Sequence, residues 1–272
     1  MKRFLLSSLA AALLALAGCY TNPVTGRKSL VLLSAGEEVT MGAQSFQDIR
    51  SKEKVSTDPA ANARIQRIGQ RIAQAVGDAL PNAKWEFVVF ESDDLNAFAL
   101  PGGKVGVYTG LIKLAENDSE LAIVMGHEIG HVIARHGAER MSEAMVISGV
   151  GALGAAVVEN KADDPQTKQL FELAYGGLTT VGRVLPHSRA NETEADGMGA
   201  MYAAKAGYDP RASITFWQKM LKQKQAAGAG AGGKIEALMS THPADEKRIA
   251  DLKALMPQVV PIYEQNRGKF SN

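Results

Sequence analysis

Three of the chain's five histidines lie between positions 125 and 136, in the stretch MGHEIGHVIARH. His127 and His131 are four residues apart, so on a helix both imidazoles project from one face and can reach one metal ion. Glu128 is rotated around the helix axis, so its carboxylate can approach a metal-bound water without binding the metal. This H-E-x-x-H spacing is typical of zinc peptidases, in which the glutamate is the general base. Because the motif fixes only three positions, an ordinary amphipathic helix with two hydrogen-bonded histidines is the alternative.

The third histidine of the stretch does not supply the missing ligand. His136 follows His131 by five residues, which on a continuous helix places it on a different face, so a surface or capping role is predicted. The longer pattern H-E-x-x-H-x-x-G-x-x-H also fails, because the chain has Ala134 and Gly137 where glycine and histidine are needed. A catalytic zinc usually takes three protein ligands and one water, so the third ligand must come from another part of the chain.

The stretch SRANETEAD, residues 188 to 196, offers carboxylates for that position. Glu192 and Asp196 are four residues apart and share one helix face, while Glu194 points away from it. One of the two carboxylates can bind zinc, and the other can accept the ring N–H of a ligating histidine. An acidic helix N-terminus, favoured by the helix dipole, is the alternative explanation of the same residues.

Composition limits the class of protein. A chain of 272 residues, of which 46% are hydrophobic, is long enough to bury a sizeable core. Lys and Arg number 30 against 29 Asp and Glu, so no nucleic-acid partner is predicted. The apolar stretch 144–158 is shorter than the roughly 20 residues that cross a bilayer. It is predicted as a buried helix or hairpin, and its contact with a membrane is left open.

The N-terminus has the pattern of an export signal, with two basic residues, an apolar run over 4–17 and small residues before Cys19. It resembles the lipobox of bacterial lipoproteins, which predicts a lipoprotein signal peptide over 1–18 and a lipid on Cys19, the only cysteine. A cleaved signal followed by a free thiol is the alternative. Residues 19–33 are then predicted to be a lipidated tether that attaches the chain to a membrane, facing the periplasm. Tyr20, in place of Asp, favours the outer membrane.

Two helices and a small sheet are predicted ahead of the H-E-x-x-H helix. Ser34 and Glu37 form a capping box that starts the first helix. The pair Asp58-Pro59 starts the second, whose isoleucines recur at helical spacing and bury one face. KWEFVVF, residues 84 to 90, is rich in aromatic and β-branched residues and is predicted as a strand. Residues 96–110 are predicted as an extended piece, a Pro-Gly-Gly turn and a second strand.

Several of these motifs, in this order, resemble the HtpX/CAAX-prenyl-protease family of zinc metallopeptidases, including its exported BepA-like and Oma-like members. The resemblance covers roughly residues 34 to 256. Its matching stretches are NAFALPGGKVGVYTGL, ELAIVMGHEIGHVIARH, SRANETEAD, AGYDP and THPADEKR. It implies an α+β, mainly α-helical, zincin-type (gluzincin) metallopeptidase domain over 34–272, with a small β-sheet beside the H-E-x-x-H helix. The integral-membrane members have spans that this chain lacks, so their intramembrane chamber does not carry over.

The resemblance also assigns roles in the site. It implies one zinc ion per chain, bound by His127, His131 and Glu192, with Glu128 as the general base. Asp196 is implied as the partner of a ligating histidine. Independently of the resemblance, the 96–108 segment is predicted to supply an edge strand beside the cleft, to which an extended substrate can add through backbone hydrogen bonds. Such binding reads little side-chain sequence, and it suits a protease that removes unfolded or misassembled proteins of the bacterial envelope. An outer-membrane assembly machinery is a further possible partner. A client-binding, chaperone-like lipoprotein with a latched or weakly active zinc site is the alternative function.

His242 and Arg248, in STHPADEKR, have an open role. A histidine before a proline most simply marks a helix start. In the family, however, a His-Pro followed by Arg lies near the zinc cleft, so both residues are candidates for the catalytic site. They could stabilise the oxyanion of the tetrahedral intermediate. Alternatively, His242 could occupy the fourth zinc position and exclude water, with loop 226–241 as the hinge that releases it.

Overall fold

A computed structural model describes residues 19–147, 188–227 and 236–269, together with the single positions 165, 167 and 169. The predicted signal peptide and most of the apolar stretch 144–158 lie outside these residues. Within them, no helix combines the length and the apolar character needed to cross a membrane. The elements, in chain order, are β1 Cys19–Thr21, β2 Lys28–Leu30, α1 Ala35–Lys52, α2 Pro59–Val76, β3 Glu86–Phe90, β4 Ala97–Leu100, β5 Lys104–Tyr108, α3 Thr109–Leu114, α4 Asp118–Ile133, α5 His136–Ile147, α6 Arg189–Lys205, α7 Ala212–Ala227, α8 Glu236–Thr241 and α9 Glu246–Asn266.

The predicted helix starts are confirmed. Ser34 caps α1 with both hydrogen bonds of the capping box, and the Asp58 carboxylate accepts from the first backbone amides of α2, which begins at Pro59. Asn117 caps α4 by accepting from the amide of Glu120. These side chains satisfy amide groups that the first turn of a helix leaves without a backbone partner, which is why each helix begins where it does.

Three strands form a sheet with the order β3-β5-β4, parallel between β3 and β5 and antiparallel between β5 and β4. The predicted strands and the turn between β4 and β5 are confirmed. Gly102 and Gly103 in that turn have φ values of 86° and 83°, a backbone conformation that glycine adopts without steric cost. The predicted edge strand is β4, which packs beside α4, whereas β5 lies in the centre of the sheet.

The sheet is covered on both faces. Side chains that alternate along β3 divide between two hydrophobic clusters, with Phe87 and Val89 facing α2 and α4 and Val88 and Phe90 facing α1. On α2 the predicted apolar face is buried, and each such isoleucine contributes roughly 1.5–3 kcal/mol of transfer free energy. The buried apolar face of α2 consists of Ile65, Ile68, Ile72 and Val76. The predicted α+β, mainly α-helical class with a small sheet beside the H-E-x-x-H helix is confirmed.

Residues 19–33, predicted to be a lipidated tether, have a defined structure of their own. They fold into an antiparallel hairpin, β1 with β2, that packs against the rest of the chain. Leu33 and the side chain of Asn22 are buried, and the Tyr20 hydroxyl donates to the carbonyl oxygen of Ile133 at 2.9 Å. The polar and turn-forming residues that suggested a solvated linker instead find hydrogen-bond partners on α4, α5 and α6, which compensates the cost of ordering the segment.

Candidate metal centre

The α4 and α6 helices approach each other closely because small residues line their contact. A Cβ atom added at Gly126 would lie 2.9 Å from the carbonyl oxygen of Gly199, and one added at Gly199 would lie 2.7 Å from the amide nitrogen of His127. Any larger side chain at these positions would force the helices apart. The close contact brings the α6 carboxylates within reach of the α4 histidines, although the two helices are far apart in the sequence.

Four buried side chains converge at this contact: His127, His131, Glu192 and His242. His127 Nε2 lies 3.0 Å from His131 Nε2 and 3.1 Å from His242 Nδ1. The Glu192 Oε1 atom lies 3.2 Å from His131 Nε2 and 3.1 Å from His242 Nδ1. One donor atom from each residue therefore lies within 4.8 Å of every other. The structure thus brings together the three predicted ligands and places His242, already a candidate for the fourth position, beside them.

The donor set and its charge fit a bound metal ion. Ligand atoms held at 2.0–2.1 Å around a tetrahedral ion lie about 3.4 Å apart, close to the separations found here. Among the described residues, three buried carboxylates, Glu128, Glu192 and Asp196, interact with the guanidinium group of Arg248. A divalent cation would offset this excess of negative charge, which is costly to bury unpaired.

Glu128 has the position expected of a general base. Its side chain is buried next to the ligand group, and its Oε1 atom lies 3.4 Å from His242 Nε2. That oxygen has no hydrogen-bond partner within the described part of the chain. Burial raises the pKa of Glu128, opposed by His242 and His127. A carboxylate with a free oxygen and a raised pKa can take a proton from a water molecule beside the metal position.

The outer nitrogen of His127 bonds to Asp196. His127 Nδ1 donates to Asp196 Oδ1 at 2.9 Å, which leaves the Nε2 lone pair directed toward the other ligands. Burial lowers the pKa of His127, but hydrogen bonds and charges from Asp196 and Glu192 raise it to about 9. Metal binding at Nε2 must therefore displace a proton. This is the contact that the sequence suggested for one of the two α6 carboxylates.

Arg248 is engaged with those carboxylates. Its Nε and Nη2 atoms each donate to Asp196 at 2.7 Å, and its Nη1 atom lies 3.1 Å from Glu192 Oε2. The guanidinium carbon lies 3.4 Å from the centre of the Trp217 ring, a cation–π contact. These contacts favour a positioning role for Arg248 over direct stabilisation of an oxyanion.

The prediction that His136 is a surface or capping residue is wrong. His136 is fully buried, its Nδ1 atom lies 2.8 Å from His131 Nδ1, and its Nε2 atom lies 2.9 Å from Glu194 Oε2. The prediction assumed one continuous helix, but α4 ends at Ile133 and Arg135 adopts a left-handed φ of 57° before α5 begins. The break turns His136 back toward the site.

Comparison with known proteins places this geometry in a family. The sequence profile of Peptidase family M48 matches residues 59–256. The chain is 32% identical over 239 residues to the mitochondrial metalloendopeptidase OMA1 of Schizosaccharomyces pombe, covering 87% of this chain and 66% of that protein. It is 30% identical over 253 residues to the beta-barrel assembly-enhancing protease of Escherichia coli, covering 92% of this chain and 50% of that protein. The chain thus spans about half to two thirds of the length of these relatives.

The matched range contains the H-E-x-x-H motif on α4, the carboxylates on α6 and His242 before α9. These elements meet at the buried cluster that can hold a metal ion. The chain belongs to peptidase family M48, a family of metallopeptidases.

Proposed function

We propose that the chain is a zinc metalloendopeptidase with one zinc ion per chain, bound by His127, His131 and Glu192. The observation that carries this proposal is the convergence of these three donors beside Glu128, whose buried oxygen has no hydrogen-bond partner among the described residues. Two imidazole nitrogens and one carboxylate oxygen, with one further position for water, are a common ligand set of catalytic zinc.

The chemistry follows from the positions of the protein groups. When bound, zinc polarises the substrate carbonyl and lowers the pKa of a coordinated water to about 7. Glu128 accepts the proton of the attacking water and passes it to the leaving amine as the C–N bond breaks. An extended substrate can pair with β4, the outer strand of the three-stranded sheet among the described residues. Such pairing binds peptide backbone and reads little side-chain sequence. Such binding suits the cleavage of unfolded proteins.

His242 holds the site in a latched state in this proposal. Its Nδ1 atom lies 3.1 Å from both His127 Nε2 and Glu192 Oε1, so it would hold a bound zinc ion as a fourth ligand in place of water. This geometry favours His242 as an inhibitory fourth ligand over a transition-state stabiliser. Release requires movement of the segment before His242, part of which, 228–235, lies outside the described residues.

Cleavage of unfolded casein tests both the activity and the latch. We expect weak, chelator-sensitive activity in the wild type and a rise of about tenfold or more in His242→Ala, because an open state populated at about 10% or less becomes the dominant one. Readdition of zinc should restore activity to both proteins. Client binding without cleavage in either protein would favour the chaperone-like alternative, and lower activity in His242→Ala would favour the stabiliser role.

We also propose that the substrates are unfolded or misassembled envelope proteins, and that the chain faces the periplasm from the outer membrane. The name of the Escherichia coli relative, beta-barrel assembly-enhancing protease, supports a role in the assembly of β-barrel proteins, for which we propose an outer-membrane assembly machinery as the partner. The proposed membrane attachment is a lipid on Cys19, whose side chain is exposed at the start of the N-terminal hairpin.

Lipidation of Cys19 can be tested by metabolic labelling with a fatty acid. We expect label on the wild-type chain and none on Cys19→Ala, which should be recovered either as an uncleaved precursor or free in the periplasm, because several acyl chains on one residue are needed for stable anchoring. The matched control is Ser29→Ala on the same hairpin, which should keep the label. Label retained on Cys19→Ala would exclude this residue as the acceptor.

A further inference from the structure

The two histidines of the H-E-x-x-H motif differ in what holds their outer nitrogen. His127 Nδ1 bonds to the carboxylate of Asp196. His131 Nδ1 instead lies 2.8 Å from the Nδ1 atom of His136. Two ring nitrogens at that distance must share one proton, with one donating and the other accepting. Since His131 Nε2 faces the metal position, its proton belongs on Nδ1, and His136 Nδ1 is the acceptor.

That assignment also determines the protonation of the second ring nitrogen of His136. With Nδ1 unprotonated, neutral His136 carries its proton on Nε2 and donates it to Glu194 Oε2 at 2.9 Å. His136 is fully buried and the Glu194 side chain is 5% exposed, so water does not compete for this bond. Two hydrogen bonds therefore connect a carboxylate to the metal position: Glu194 accepts from His136, and His136 accepts from His131.

Glu194 is held from the other side by the N-terminal hairpin. Arg27 forms an ion pair with it through Nε, Asn22 Nδ2 donates to its Oε1 atom at 2.8 Å, and the hydroxyl of Thr25 donates to the same oxygen. These three donors surround the Glu194 carboxylate and leave its Oε2 atom placed to accept from His136.

We propose that Glu194 and His136 form a hydrogen-bond relay that fixes the tautomer and ring orientation of His131 for metal binding, and that Arg27 of the N-terminal hairpin holds this relay in place. The inference rests on the proposed zinc site. His136, Glu194 and Arg27 are positioning residues, since none of them reaches the metal position. The hairpin that follows the proposed lipid anchor is then a structural part of the metal centre.

Zinc affinity of the full-length protein, measured by competition with a chromophoric chelator, tests the relay. His136→Phe fills the ring volume but removes the acceptor, and we expect zinc to bind about 10- to 100-fold more weakly, as when other partners of metal ligands are lost. His136→Asn keeps an acceptor oxygen near the position of Nδ1 and should recover part of that loss. Wild-type affinity in His136→Phe would overturn the proposal.

Arg27→Met provides a second measurement if His136→Phe does not fold. It should weaken zinc binding, whereas Arg64→Met should not. Arg64 is a matched control, because its side chain is 26% exposed against 27% for Arg27 and pairs with Asp118 at the opposite end of α4. Equal zinc affinity in the two arginine variants would contradict the role of the hairpin.

Long-range ¹⁵N–¹H spectra of the histidine rings give a readout that does not depend on zinc. We expect His131 with its proton on Nδ1 and His136 with its proton on Nε2. A proton on His136 Nδ1 would overturn the relay, because two donors would then face each other. The expected tautomers in a protein that binds no zinc would support the relay and exclude the zinc proposal, so the two failures are distinguishable.

Discussion

Glu128→Gln is expected to lower peptide hydrolysis by about 100- to 10,000-fold, the usual contribution of a general base. The amide has nearly the shape of the carboxylate but cannot accept the proton of the attacking water. Zinc content and the unfolding temperature should remain close to wild type, because Glu128 lies beside the ligand group and does not belong to it. The rate is best measured in the His242→Ala background, where the proposed latch is absent.

The matched control is Glu120→Gln. Glu120 is a buried glutamate of the same helix and is 1% exposed. Its Oε2 atom lies 2.8 Å from Lys219 Nζ, and this ion pair is not part of the ligand group. Its amide variant should lose some stability but keep the hydrolysis rate. Full activity in Glu128→Gln, with zinc bound, would exclude Glu128 as the base.

Glu192→Ala is expected to lose zinc and thermal stability together. Binding to the folded state alone contributes about 4 kcal/mol when free zinc is 1,000 times the dissociation constant. For a chain of this size such a loss corresponds to roughly 10 °C in unfolding temperature. The variant also leaves Arg248 Nη1 without the carboxylate that lies 3.1 Å away, so the site is weakened even without metal.

Scanning calorimetry with excess zinc, together with metal analysis, measures both effects. A chelator should lower the unfolding temperature of the wild-type protein toward that of Glu192→Ala, whereas it should hardly change the unfolding temperature of the variant. Glu192→Gln keeps an oxygen donor but loses the negative charge. Its zinc content and unfolding temperature should lie between those of the wild type and Glu192→Ala. Because His242 could replace Glu192 as a ligand, the decisive measurement uses the His242→Ala background. Zinc content in Glu192→Ala that equals that of His242→Ala alone in this background would show that another residue is the third ligand.

The local rules of the sequence determined the helix starts and the strands. Capping side chains and apolar periodicity act over a few residues, so Ser34, Asp58 and the isoleucines of α2 could be interpreted without knowledge of the rest of the fold. The H-E-x-x-H spacing likewise specified that His127 and His131 share one face. These features depend on backbone geometry that is the same in every helix.

Residue spacing could not decide which α6 carboxylate joins the buried donor cluster or where His242 lies; the resemblance suggested an answer, and the tertiary structure shows the contacts. Sequence spacing left Glu192 and Asp196 equivalent, since both occupy one helix face. The close contact between Gly126 and Gly199 sets the offset of α4 against α6 that directs Glu192 to the metal position and Asp196 to His127 Nδ1. No local pattern encodes that offset, because it results from packing between distant segments.

The same reason explains the wrong prediction for His136 and the packing of residues 19–33 that the sequence did not predict. The spacing predicts His136 on a different face only if the helix is continuous. The helix breaks at Arg135, which has a left-handed φ, and arginine is not a residue type that indicates such a break in a sequence. The segment 19–33 was interpreted as a tether because its partners, among them Glu194, are far away in the sequence. The sequence by itself thus determined the residue types and spacings of the catalytic motif. Only the tertiary structure decided which distant side chains complete and support it, because burial and hydrogen bonding between separate elements set those contacts.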